Sequence, residues 1–296
     1  MKLDETSVTI RERTWLQIMD LALRVCAEHW RAIGLTFLLG AFPLAILNDF
    51  LILQLVDFEL EQDSYSEHLV FIGISTCLVC IQAPLASVFT IALLGRIMFH
   101  EAPDLRQLLR QVIRMAPSWL IRQGILRVSL VSLSILPLMP HNNRAFVLLV
   151  MTLLVLYVGM VRCIRPFLNE VILLERPQQA SHQGESVSFG KRMQKLHMVE
   201  PGDLIARFLA SAVFASILPF TRIELFWFIS CIVSENFAWN IALTRLGVPV
   251  ALWITAAFFT VVRFLGYLDR RTRNEGWAVS LQLRAESQRL LSQFGN

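Results

Sequence analysis

VPVALWITAAFFTVVRFLGYLDRRTR, residues 248–273, sets a long apolar run directly against a dense cationic segment. About twenty mostly apolar residues are enough to cross the hydrocarbon core of a bilayer as a helix. Arg270, Arg271 and Arg273 then form the kind of junction that membranes hold on the cytoplasmic side. The stretch predicts a last span over residues 248–268, followed by a cytoplasmic segment. The other apolar runs can be oriented from it.

The whole chain has the composition such a reading needs. Of its 296 residues 55% are hydrophobic and only 17% charged, against roughly 25% charged in a soluble domain. The apolar residues come in long runs, so the expected class is an all-α integral membrane protein. A net charge of +4 makes no case for nucleic acid, because the basic residues sit between the runs. The five cysteines are an odd number, placed in or beside apolar runs or, for Cys26, on a helix face. No disulfide framework is expected. Residues 1–13 are polar and mixed in charge, unlike a signal peptide.

Working back from the last span, five more are predicted: residues 33–47, 69–99 (interrupted by Pro84), 119–139, 145–161 and 204–220. The second is longer than a bilayer requires, so it should project or tilt. Residues 223–233 are apolar but short, which suits an interfacial or re-entrant piece. Residues 166–175 read as continued helix or an interfacial segment. With six spans and both ends inside, every Lys and Arg of the 27 except Arg144, Arg222 and Arg245 lies on or beside a cytoplasmic segment. That asymmetry is the positive-inside signature of a bacterial inner-membrane protein.

Three parts follow: residues 1–33, a cytoplasmic segment with an amphipathic helix; 34–268, the six-span domain; and 269–296, a basic tail expected to form a cytoplasmic amphipathic helix. In residues 14–33 a narrow polar stripe, Gln17, Asp20, Arg24, Glu28 and Arg31, recurs at helical spacing. Such a helix either lies at the membrane surface or packs on the other helices. Pro103-Asp104 opens another amphipathic helix, with Leu105, Leu108, Leu109, Val112 and Ile113 on one face and Arg106, Arg110 and Arg114 on another. Those arginines suit anionic headgroups or are simply a solvated face.

The chemistry-bearing patterns are few. Asp57 to Glu67 holds five acids and no Lys or Arg, but lacks the central glycine and closing glutamate of a calcium-binding loop. Cys77-Leu-Val-Cys80 has redox spacing but sits in an apolar helix. No catalytic or phosphate-cradling motif and no zinc-spaced cysteine pair appears. Asp49 and Arg127 come nearest to ionisable residues at mid-membrane depth, and Glu170, Glu175 and Asp269 form no recognisable set. No cofactor, metal or catalytic residue is assigned. In the closing motif Asp269 can pair with Arg273, and Arg271 with Glu275, each four apart on a helix. Gly276 then allows a bend that returns Trp277 to the interface. The motif is an anchor for the last helix or, with the arginines of residues 105–114, a headgroup or partner site.

With these motifs in place, the chain resembles the membrane-domain family named after glycerophosphoryl diester phosphodiesterase. The likeness is carried by LQIMDLALR (16–24), by APLA (83–86) with PDLRQLLR (103–110), and by YLDRRTRNEGWAVSL (267–281). The middle departs: the family's basic segment before span five is only loosely echoed at residues 188–192. The resemblance implies a multi-span helical module without the separate catalytic barrel, hence no esterase activity. The expected function is a non-enzymatic scaffold binding anionic lipid headgroups or a protein partner through its cytoplasmic basic helices. The alternative is a transporter or lipid-handling protein with a path between the helices.

Overall fold

The computed structural model describes residues 13–55, 65–98, 105–124, 144–164, 167–174, 201–235, 239 and 242–274. Among them the chain is almost wholly helical and contains no strand. α1 spans Trp15–Glu28, α2 Trp30–Leu55, α3 Tyr65–Ala86, α4 Val88–Ile97 and α5 Leu105–Gly124. α6 follows over Arg144–Ile164, α7 over Leu168–Leu174, α8 over Pro201–Ser234 and α9 over Val248–Asn274, the last entered through a π turn, Leu243–Gly247.

Four stretches are long and apolar enough to cross a membrane: Trp30–Ile52, His68–Ala86, Ile205–Ser234 and Leu243–Arg273. A fifth is available if α6 and α7, bent by 53°, are taken as one broken span. Most of the expected span over residues 119–139 lies outside the described residues, as do the acidic loop and the tail from Glu275 onward.

Local chemistry explains where the elements begin and end, and where they differ from expectation. Thr14 caps α1: its Oγ1 accepts from the Gln17 N–H while the Gln17 side chain accepts from the Thr14 N–H, a reciprocal box that satisfies two otherwise orphaned donors. α1 stops at Glu28, with His29 as its cap, rather than running on to Ile33. The expected first span therefore lengthens to begin at Trp30.

The single helix expected over residues 69–99 is instead two, broken at Ser87. Pro84 supplies no N–H to the preceding turn, and its own carbonyl accepts from the Ser87 hydroxyl at 2.9 Å. α4 lies within the bundle, with nearly all of it buried. Next to the break, a Cβ added at Gly40 of α2 would strike the Ala86 backbone carbonyl, so only glycine allows this approach of two helices.

Residues 223–233 are not a separate piece: α8 passes unbroken through Pro219 and Arg222 to Ser234. Glu235, with φ 53°, ends it in the left-handed conformation that commonly terminates helices. Residues 168–173 are fully buried against α4, α5 and α9, so α7 is an internal helix rather than an interfacial one. α5 continues through Pro117 to Gly124, past the point where the third span was expected to start.

The core runs along α9. Its residues Phe258 to Leu265 pack with Ile18, Ala22 and Val25 of α1, with α4, and with Leu108 and Val112 of α5. Farther along, Val248 to Trp253 meet Phe37 and Ala41 of α2, Val79 and Ala86 of α3, and Ile223 of α8. Opposite this core lies a continuous apolar exterior: Leu38, Phe42 and Ile46 on α2, Leu149, Leu153 and Leu156 on α6, and Leu209, Ile217 and Phe228 on α8 are all exposed. Water penalises apolar surface on this scale, whereas a hydrocarbon solvent does not.

Candidate functional site

Two polar layers cross α9, one at its end and one two turns earlier. The first is an ionic junction of three helices. Asp269 accepts the Arg13 backbone N–H at 2.8 Å and Arg207 Nη1 at 3.1 Å, and forms an ion pair with Arg273, whose Nε lies 3.2 Å away. Asp203 holds Arg207 Nε at 2.9 Å and Arg270 Nη1 at 3.4 Å. Arg273 in turn donates to the Arg13 carbonyl at 2.9 Å.

Local sequence prepares each part of the junction. Asp269 and Arg273, like Asp203 and Arg207, are four apart and share a helix face. Pro201 opens α8 where its missing N–H costs nothing. Asp203 lies in that first turn, while Arg271 and Arg273 lie in the last turn of α9, so each sign complements its helix dipole. The result ties together α1, α8 and α9. Trp15 reinforces it, donating Nε1 to Ser211 Oγ at 3.2 Å and packing on Phe214.

The second layer is centred on Arg263, six residues before Asp269 and so about 9 Å along the helix axis. Arg263 Nε pairs with Glu170 Oε1 at 2.7 Å, and its Nη2 donates to Ser87 Oγ at 3.1 Å. The Glu170 side chain is wholly buried. Neighbouring Asn169 donates Nδ2 to the Pro84 carbonyl at 2.8 Å and to Ser87 Oγ at 3.3 Å. The helix break at Ser87 thus serves as the socket into which α7 places Asn169 and Glu170. Close by, Arg162 Nη2 donates to the Ile81 carbonyl at 3.0 Å. Three enclosed atoms of this layer, Glu170 Oε2, Asn169 Oδ1 and Arg162 Nε, have no hydrogen-bond partner.

Smaller polar contacts continue along the bundle: Gln82 Nε2 to Asn48 Oδ1 at 2.6 Å, Arg222 Nη1 to Thr255 Oγ1 at 2.6 Å, and Thr244 Oγ1 with His68 Nδ1 and Trp239 Nε1. Cys77 and Cys80 are free thiols. Among the described residues no group of three or more His, Cys, Asp or Glu could hold a metal ion.

The expected site residues separate into two sets. Arg106, Arg110 and Arg114 stand exposed on α5, while Leu108 and Val112 of the same helix are buried. Arg270 is 2% exposed and turned to Asp203; Arg273 and Asp269 form the pair their spacing predicted. Arg271 is half-buried, and Glu275, Gly276 and Trp277 lie outside the described residues. Sequence reasoning singled out Asp49 and Arg127 and did not bring Glu170 and Arg263 together. Asp49 is exposed and Arg127 is outside the described residues, whereas Glu170 and Arg263, 93 residues apart, form the enclosed pair. No family model, curated protein or solved structure matches this chain.

Proposed function

We propose that this chain is a six-span inner-membrane protein of a bacterium, with both termini cytoplasmic, acting as a non-enzymatic scaffold. Its contacts to anionic headgroups or to a protein partner run through the basic face of α5. One observation carries the reading: Arg106, Arg110 and Arg114 are exposed on a helix whose apolar side is docked on the bundle. A basic amphipathic helix of this kind gains about 1 kcal/mol per cation near an anionic membrane surface.

The six-span topology draws on the four long apolar helices, the bent α6–α7 pair and the apolar run over residues 119–139, with the charge asymmetry setting its direction. In that frame the Asp269 junction sits at the cytoplasmic interface and Arg263 about 9 Å inside it. The junction's arginines anchor α9 rather than meet headgroups, since Arg270 is enclosed and Arg273 is engaged by Asp269. The likeness to the membrane-domain family belongs to the same proposal and rests on the closing motif.

The test is purification of the full chain from native membranes, with lipid and protein mass spectrometry, beside a variant carrying Arg106→Gln, Arg110→Gln and Arg114→Gln. The scaffold reading expects a stoichiometric partner or enriched anionic lipid that the variant loses. Identical co-purifying material from both proteins would overturn it. A second reading, a lipid-handling protein or transporter, is favoured by the buried Glu170–Arg263 pair, because ionisable groups within a membrane bundle ordinarily mark a ligand or ion site. A lipid or solute retained between the helices, independent of the α5 arginines, would favour that reading.

A further inference from the structure

Among the described residues, the layer around the Ser87 break holds two guanidiniums and one carboxylate. Arg263 is matched by Glu170. Arg162 is not: among the described residues it donates to the neutral Ile81 carbonyl alone, and its enclosed Nε has no hydrogen-bond partner. Within electrostatic reach it has the Cys80 thiol, which carries no charge to match it in the protonated form, and Arg263, a like charge. An unmatched cation beside another cation is costly in a low-dielectric surrounding, and one anion would remove that cost. Val158, one turn before Arg162 on the same face of α6, is buried, while Arg162 itself is half-buried, so part of its side chain is still accessible at the end of the helix.

We propose that the end of α6, where Arg162 meets the α3–α4 break, binds a phosphate group, gripped by the Arg162 guanidinium with Arg263 as a second positive charge behind it. A guanidinium presents N–H groups in a planar fork that matches phosphate oxygens two at a time. A phosphate monoanion brings the layer from one net positive charge to none. Glu170 holds Arg263 in place, so Arg162 is the group with donor capacity to spare. The same chemistry is offered by the phosphodiester of an inner-leaflet lipid and by free inorganic phosphate. The site is distinct from the α5 face but rests on the reading of the bundle as membrane-embedded.

The experiment uses the full chain in detergent micelles. Phosphatidylglycerol is titrated and followed by native mass spectrometry, and inorganic phosphate is titrated and followed by thermal stability. Arg162→Gln is expected to weaken phosphatidylglycerol or phosphate binding at least about tenfold, the loss typical of charge-assisted hydrogen bonds. Arg162→Lys keeps the charge but loses the fork, serves if glutamine is not tolerated, and is expected to weaken binding a few fold. Arg114→Gln, on the exposed face of α5, should leave it unchanged. Binding of the lipid alone assigns the site to a headgroup, and phosphate binding that competes with the lipid assigns it to the free anion; either outcome supports the proposal. Equal binding by the native chain and both Arg162 variants, or equal weakening by Arg162→Gln and Arg114→Gln, overturns it. Recovery of the chain in the soluble fraction without detergent would overturn the membrane reading instead.

Discussion

α8 and α9 run antiparallel side by side and are about equally apolar over their candidate spans, yet they are built for different surroundings. Only 11% of the α8 span is buried, against 61% of the α9 span. α8 turns Leu209, Ile217, Leu225 and Phe228 outward, whereas α9 touches α1, α2, α3, α4 and α8 and receives polar contacts at four levels. Hydropathy identifies both as spans but does not say which faces hydrocarbon. The polar residues say that: Thr244 in the π turn that enters α9, and Thr255, Arg263 and Asp269 in α9 itself, each have a partner on another element or, for Thr244, also on the chain just before it.

The contrast is most exposed to failure at the ionic junction. Asp269→Ala removes the buried carboxylate shared by the Arg13 N–H, Arg207 and Arg273 and leaves Arg207 to Asp203 alone; breaking a buried ion pair in this way costs about 3–5 kcal/mol. The expected outcome is a large drop in the denaturation midpoint of the purified protein, with loss of α1 docking detected by proteolysis near Arg13. Glu170→Ala should cost about 3 kcal/mol, since it strands Arg263 in the interior. Adding Arg263→Met should recover most of that loss, because removing both partners of a buried pair is far milder than removing one. A double variant no more stable than Glu170→Ala would show that the pair is not an isolated unit.

Packing sharpens the comparison at smaller scale. Leu265→Ala on α9 should cost about 2–4 kcal/mol through lost burial and the cavity left behind. Leu225→Ala on the outward face of α8 should cost under about 0.5 kcal/mol, as read by equilibrium unfolding in the same detergent. Equal effects at the two sites would erase the distinction between hub and periphery.

The smallest effect concerns Cys26, on the face of α1 packed against the α9 core. Burial pushes its thiol pKa up to about 11. Below that value the reactive thiolate is scarce, so alkylation should be slow at pH 8, rise about tenfold per pH unit and level off only near pH 11. In Asp269→Ala, with α1 undocked, it should proceed faster at pH 8.

Part of the junction was legible because its signal is local. Asp269 and Arg273 share one helix face at fixed spacing, whereas the partners Arg13, Asp203 and Arg207 come from distant parts of the chain. The Glu170–Arg263 pair was not legible: its members sit in different helices, and nothing in LNEVILL (168–174) distinguishes a buried helix from an interfacial one. Pro84 announced an interruption but not its position, which the Ser87 hydroxyl and the Asn169 amide fix three residues later. The outer third of α8 was misjudged because Arg222 and Glu224 interrupt its hydropathy, while Arg222 in fact bonds to Thr255. The basic face of α5 was readable from spacing alone, since exposed positions need no tertiary partner.

The clasp between Arg13 and Asp269 joins positions 256 residues apart, which gives the molecule an order of assembly. At about 5–20 residues per second of synthesis, the amphipathic leader waits on the order of ten to fifty seconds for its docking partner to emerge from the ribosome. Until then its oily side must be sheltered by lipid or a chaperone. Chains cut short before the final helix would keep that side uncovered, a mark by which quality control could sort them from finished ones.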